Sequence, residues 1–202
     1  MHRTLYIFRH GQTDWNIHKR FQGHTDIELN EVGREQAKRL GGYFANKPLK
    51  KIYTSDMKRA VETAKIVVAD KSIAIEKTSV LREAHLGQME GLHIDEARSK
   101  FGEEVIDRWK SNEKQHLDQR FPGGESKREM LARVNQYIDT VIHHEAFDHI
   151  GISTHGGVIH KLISHLMGVE HFNYPVTNCS LFVFEFFDSR YKFIEYQDFS
   201  KE

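Results

Sequence analysis

Apolar residues recur along the chain in two signatures: short β-branched or aromatic runs, and longer stripes at helical spacing. Thr4 to Phe8 is a run of the first kind, and the Gly- and polar-rich stretch from His10 to Asp26 follows it. Together they predict a buried strand opening into a long loop, the kind of segment that carries function. Asn30 is placed to cap a helix reaching about Asn46, with Val32, Ala37, Leu40 and Phe44 on one side and Lys47-Pro48 at its end. Lys50 to Thr54 predicts a second strand. Ser55 or Asp56 then caps a helix in which Met57, Ala60, Val61, Ala64, Val67 and Val68 recur, which puts Arg59 in its first turn. Ser72 to Glu76 predicts a third strand.

From Leu92 to Phe121 the pattern loosens into polar helical pieces, closed by Pro122-Gly123-Gly124, and predicts a cap inserted over one domain spanning residues 1–202. Ser126-Lys127-Arg128-Glu129 has the capping-box form, and Met130, Leu131, Val134, Ile138, Val141 and Ile142 give the next helix its stripe. His149 to Thr154 predicts a strand, and Gly156-Gly157 opens a helix carrying Val158, Ile159, Leu162, Ile163, Leu166 and Met167 up to Gly168. Ser180 to Phe187 and Tyr191 to Tyr196 predict an antiparallel hairpin around Asp188-Ser189. The apolar run Leu181 to Phe187 suits either a core edge or the seam of a homodimer. Strands alternating with amphipathic helices define an α/β class: a three-layer sandwich with a mostly parallel central sheet flanked by helices and a helical cap insertion.

In such sheets ligands sit outside the carboxyl ends of the strands. Arg9-His10 follows the first strand, Ser55 to Arg59 the second, Glu83 the third and His155-Gly156 the strand near residue 150. Two histidines, two arginines and one carboxylic acid on one edge suit phosphoryl transfer through a covalent histidine. Neutral imidazole is a nucleophile, so His10 attacks phosphorus and splits hydrolysis into two easier steps. The group in flight spreads its charge over three equatorial oxygens and needs fixed positive donors. Arg9 and Arg59 supply planar forks, His155 a donor opposite His10, and the helix termini at Arg59 and Gly156-Gly157 supply N–H groups. Glu83 gives the departing alkoxide its proton and then serves as base for water.

Composition narrows the setting. Lys+Arg and Asp+Glu tie at 29 each, which excludes a generally basic nucleic-acid binder and makes any anion site local. The apolar runs are far shorter than a membrane span, and the first nine residues lack the form of a signal peptide. The single cysteine, Cys179, excludes an internal disulfide and reads as a buried apolar residue. These features point to the cytoplasm, with no membrane partner. The 14 histidines invite a metal reading. His155, His160 and His165, however, lie five apart, about 140° around a helix, so no two share a face as a zincin pair does. His143, His144, His149, His18, His24, His85, His93, His116 and His171 read as surface or helix-end residues, and Trp15 and Phe21 as loop packing.

The ordered motifs resemble the histidine phosphatase superfamily in its phosphoglycerate-mutase-like branch. They are Arg9-His10-Gly11-Gln12-Thr13 with Trp15-Asn16, Arg20-Phe21-Gln22-Gly23, Leu29 to Ala37, Thr54 to Ala60, Leu81-Arg82-Glu83, Glu90-Gly91, Pro122 to Ser126 and His155-Gly156-Gly157. The resemblance runs from residue 4 to about 180 and implies a phosphoglycerate-mutase-like fold. It implies that His10 is phosphorylated, that Arg9, Arg59 and His155 bind the phosphate, and that Glu83 is the proton donor. It also implies that Asn16, Gln22 and Gly23 shape the phosphate pocket, with no metal and no cofactor. After the acid the chain reads Glu83-Ala84-His85-Leu86-Gly87-Gln88-Met89-Glu90-Gly91. This lacks the Arg and Tyr of the mutase pattern Glu-Arg-His-Tyr-Gly and is closer to the phosphatase pattern Gly-x-Trp-Glu-Gly, with Met89 for Trp. Ser153-Thr154 departs from the smaller or more apolar pair usual before the second histidine. The expectation is a metal-independent phosphomonoesterase for a small phosphorylated metabolite, with a cofactor-dependent phosphoglycerate mutase or a non-catalytic phospho-ligand sensor as alternatives.

Overall fold

The structure is a computed structural model that describes residues 2–69, 71–111, 113–169 and 172–201, so the surface reading of His171 lies outside the described residues. Its elements are β1 (His2–Arg9), α1 (Asp14–Ile17), α2 (Glu31–Tyr43), β2 (Lys51–Ser55), α3 (Lys58–Val68), β3 (Ala74–Thr78), α4 (Ile94–Phe101), α5 (Glu103–Lys110), α6 (Lys127–His144), β4 (His149–Thr154), α7 (Gly156–Met167), β5 (Ser180–Phe187) and β6 (Arg190–Asp198). One sheet runs in the order β3-β2-β4-β1-β5-β6. Its first four strands in that order are mutually parallel, and β5 and β6 are antiparallel additions.

The unbroken apolar run of β1 reflects burial on both faces. Successive side chains of a strand point to opposite sides. Leu5 and Ile7 join the core under α6 and α7, while Tyr6 and Phe8 join the core under α2 and α3. This is the expected three-layer sandwich. In the 92–121 segment, Ala97, Ile106 and Trp109 pack into the first of those cores, while Glu103, Glu104, Asp107 and Lys110 face solvent. Among the described residues no helix is long and apolar enough to cross a membrane.

Several expectations are corrected. Val32 is 49% exposed, because the buried face of α2 runs through Gly33, Gln36, Ala37 and Leu40, whose centre lies about 90° from Val32. α2 ends at Tyr43 and continues as a 3-10 turn over Phe44–Asn46. The third strand starts two residues later than expected, at Ala74, where its register with β2 begins. Neither Ser55 nor Asp56 is the cap of α3, which is Met57. Asp56 is spent on Arg82 at 2.6 Å, and the Lys58 N–H is satisfied by Asp26 Oδ1 at 2.8 Å. β5 lies between β1 and β6, so Leu181 to Phe187 is an interior strand and not an edge available as a seam. Asp188 and Ser189 turn the hairpin with φ of +51° and +58°, the left-handed pair that such tight turns use. His149 opens β4 half-buried, 3.2 Å from the Tyr6 hydroxyl, and is not a surface residue.

Candidate active site

The carboxyl ends of β1, β2 and β4 open on one cavity of about 420 Å3. His10, 3% exposed, leaves β1 there, its backbone N–H held by Thr154 O at 3.0 Å. Gly11 follows, with its N–H on Thr63 Oγ1. A Cβ at Gly11 would stand 2.3 Å from the Gly33 carbonyl, so the loop backbone lies against α2 only because no side chain intervenes. His10 Nδ1 is 2.7 Å from the Gly11 carbonyl. A carbonyl only accepts, so Nδ1 carries the proton and Nε2 keeps its lone pair for the cavity. Burial, then the charges of Arg59 and Arg9, hold the His10 imidazole well below its usual range, which keeps it neutral and nucleophilic at pH 7.

Arg59 is 1% exposed. Its Nη1 donates to Thr25 O and its Nη2 to Gly23 O, both at 2.9 Å, and its Nε donates to His155 Nδ1 at 3.2 Å. Burial lowers it to about 10, still fully charged at neutral pH. Arg9 anchors on Val176 O at 2.8 Å, and its buried Nε–H has no partner within the protein. Such a donor is costly unless a ligand oxygen meets it.

The rings of His155 and His10 meet edge to face, with centroids 5.2 Å apart. His155 is not the outward donor that the sequence predicted. Its Nδ1 accepts from Arg59 and its Nε2–H is directed to Ser55 Oγ at 2.8 Å, so it holds the Arg59 fork. Burial, Arg59 and His10 also keep it well below the ordinary histidine range. The α7 terminus is not open to phosphate at Gly157 either, because Gly157 N–H is bound at 2.8 Å by Glu83 Oε2. Ala84 N–H holds Glu83 Oε1 at 3.0 Å, and the two bonds fix the carboxyl at the cavity wall. A Cβ on Gly157 would meet Glu83 Oε1 at 2.5 Å. Gly157→Ala is therefore expected to displace the acid and lower kcat about 100-fold with little change in KM, read from steady-state kinetics on an alkyl phosphate.

Asn16, Gln22, Gly23 and Gly156 all line the cavity. Asn16 Oδ1 accepts from Thr13 N–H and from Asn178 Nδ2, which fixes the amide and leaves Nδ2 as its donor end. Gln22 Oε1 is buried without a partner. Gly23, at φ +53°, lends its carbonyl to Arg59. A Cβ on Gly156 would stand 3.3 Å from Arg9 Nε, so the guanidinium lies close along that glycine. Ser153 and Thr154 donate to Ala60 O and Leu81 O, so the departure before His155 ties β4 to its neighbours and leaves the cavity alone.

Sequence reasoning missed a set of supporting residues. Asn178 donates to His10 O at 3.1 Å. Arg133 Nη2 and His24 Nε2 both donate to Glu83 O at 2.9 Å. His24 is thus no surface residue: it is half-buried, its ring tilted against that of His85 with centroids 4.8 Å apart. Glu90 accepts from His24 N–H, Leu86 N–H and Thr25 Oγ1, joining the loop under Arg59 to the loop carrying Glu83. Among the described residues no group of three or more His, Cys, Asp or Glu is placed to hold a metal ion. Cys179 is fully buried, and burial pushes its thiol up to about 12.

An imidazole, two arginines and a carboxyl thus border one small cavity at the carboxyl edge of the sheet of an α/β sandwich. The chain belongs to the histidine phosphatase superfamily (branch 1), whose family model matches residues 5–198. It is 35% identical over 187 residues to phosphoglycerate mutase-like protein 4 of Arabidopsis thaliana, covering 91% of this chain and 80% of the relative. It is 33% identical to 2,3-bisphosphoglycerate-dependent phosphoglycerate mutase 2 of Gloeobacter violaceus, covering 83% of this chain and 75% of that one. Among solved structures, YhfR of Bacillus stearothermophilus aligns with a TM-score of 0.85 at 32% identity over 95% of both chains. Mycobacterial glucosyl-3-phosphoglycerate phosphatase in complex with VO3 aligns with a TM-score of 0.81 at 26% identity, over 95% of this chain and 97% of the other.

Proposed function

We propose that this chain is a metal-independent phosphomonoesterase that hydrolyses a small phosphorylated metabolite through phospho-His10. The observation carrying this reading is the His10 tautomer: with Nδ1–H on Gly11 O, the Nε2 lone pair is held toward a cavity flanked by Arg9 and Arg59. His10 Nε2 attacks phosphorus, the N–P bond forms, and the ester P–O bond breaks with its electron pair on the leaving oxygen. The Glu83 carboxyl protonates that oxygen. Water then attacks phosphorus, Glu83 takes its proton, and the N–P electrons return to Nε2 as inorganic phosphate leaves. Arg9 and Arg59 carry the charge on the equatorial oxygens through both steps.

Hydrolysis is favoured over mutase chemistry by the Glu83 to Gly91 segment, which lacks the Arg and Tyr of the mutase pattern. Interconversion of 2- and 3-phosphoglycerate without phosphate release would establish the mutase instead. Heat protection by phosphorylated metabolites with no turnover of any would establish a sensor.

The test is phosphate release from p-nitrophenyl phosphate and a metabolite panel with EDTA present throughout; release is expected to be unaffected by the chelator. The pH profile has a defined sign. Protonation removes the His10 lone pair, and its pKa lies well below 6.5, so kcat/KM should stay high as pH falls through 6.5 and drop only at lower pH. A fall centred at 6.5 or above would place an ordinary, solvated histidine in the rate equation and exclude His10 as drawn.

A further inference from the structure

Of the motifs in the chain, Pro122 to Ser126 contributes no residue to the cavity wall, yet it is fitted closely to the loop that carries Glu83. A Cβ on Gly124 would stand 2.6 Å from His85 O, and one on Gly87 2.2 Å from Pro122 O, so the two loops meet backbone to backbone. Glu125 N–H donates to His85 O at 2.8 Å, and Glu125 Oε1 accepts from His85 N–H at 3.0 Å. The same carboxylate holds Arg133, in the second turn of α6: Oε2 accepts from its Nε at 3.1 Å, and Oε1 pairs with its Nη2. Arg133 in turn reaches the backbone of the acid. Its Nη1 donates to Val80 O, and its Nη2 lies 2.9 Å from both Arg82 O and Glu83 O.

The last of these bonds bears on the chemistry. The Glu83 carbonyl and the Ala84 N–H are the two ends of one planar peptide. One end accepts from Arg133 and from His24 Nε2, both at 2.9 Å. The other end donates to Glu83 Oε1 at 3.0 Å. Donors on the carbonyl polarise the peptide, strengthen its N–H as a donor and fix the rotation of its plane. A peptide free to turn would carry the Ala84 N–H away from the carboxyl, which would then depend on Gly157 N–H alone. Arg133 brings a charged donor, and such bonds are roughly twice as strong as neutral ones. It lies behind the cavity wall and lines none of it, so it acts on substrate only through Glu83.

We infer that Arg133, gripped by Glu125, is a positioning residue for proton transfer: by holding the Glu83–Ala84 peptide it aims the Glu83 carboxyl at the leaving oxygen. The inference rests on the phosphatase reading for the role of Glu83. Arg133→Met is expected to lower kcat on glycerol 3-phosphate about 30-fold with KM nearly unchanged. On p-nitrophenyl phosphate, whose phenolate needs no proton, the rate of His10 phosphorylation should stay within about threefold of the unmodified chain. In a Glu83→Gln background the same substitution should cost less than about threefold on either ester, because two residues acting through one carboxyl are not additive. A staple that served only the fold would cost the same on both esters and in both backgrounds, and that result overturns the inference. A second readout needs no turnover. Ala84 and Gly157 supply the two N–H groups on the carboxyl. Their amide proton shifts should move in Arg133→Met toward the values in Glu83→Ala, while those of His10 and Gly11 stay in place. Unmoved Ala84 and Gly157 signals likewise overturn the inference. Where Arg133→Met does not fold, Arg133→Gln is held to the same criteria. If Glu83→Gln itself loses activity equally on both esters, or no ester releases phosphate, the proton role of Glu83 or the phosphatase reading fails instead. The amide shifts still decide whether Arg133 holds the carboxyl.

Discussion

His10→Ala is expected to abolish turnover, lowering kcat by about 10,000-fold or more on every phosphomonoester, because the covalent route has no other nucleophile in reach. The side chain is buried, but its removal leaves the loop anchors in place: Thr154 O still takes the residue 10 N–H, Thr63 the Gly11 N–H, and Asn178 the residue 10 carbonyl. The variant should therefore fold, with an unchanged near-ultraviolet circular dichroism spectrum. In the unmodified protein, quenching during turnover should trap an acid-labile, base-stable phosphoryl adduct on the peptide containing His10. Turnover persisting in the alanine variant would require direct attack by water and would end the two-step scheme.

Glu83→Gln should separate the two proton transfers. Glutamine still offers an oxygen to the Gly157 N–H but has no proton to give or take. With an alkyl phosphate the leaving oxygen is strongly basic, and kcat should fall by about 100-fold to 10,000-fold. With p-nitrophenyl phosphate the phenolate departs unaided, so His10 is phosphorylated at nearly the normal rate while the water step lacks its base. The signature is a burst of one p-nitrophenol per active site followed by slow release. Equal loss on both substrates with no burst would remove Glu83 from proton transfer.

The gathering of these side chains around one cavity was legible because each lies in a short local motif next to a strand end, and the sheet topology brings those ends together. Arg9, His10, Arg59, Glu83 and His155 needed only the rule that parallel strands present their carboxyl ends on one edge. What escaped the reading acts through backbone carbonyls at long range. Asn178 is 168 residues from His10, Arg133 is 50 and His24 59 from Glu83, and a carbonyl acceptor leaves no trace in residue type. The helix termini at Gly157 and Lys58 were read as open anion sites, yet each is filled by a distant carboxylate, Glu83 or Asp26. Periodicity gives the terminus but not its occupant.

The placement of β1 at the centre of the sheet also sets when the site comes into being during synthesis. β1 leaves the ribosome first, yet its partners are β4, reached at His149, and β5, reached at Ser180. Arg9 and His10 are held from Val176 and Asn178. A nascent chain long enough to contain Arg9, His10, Arg59, Glu83 and His155 still lacks the Val176 carbonyl that anchors Arg9 and the Asn178 amide that holds the His10 carbonyl. The set of contacts around Arg9 and His10 is therefore completed only when the segment leading into β5 is present to close over β1.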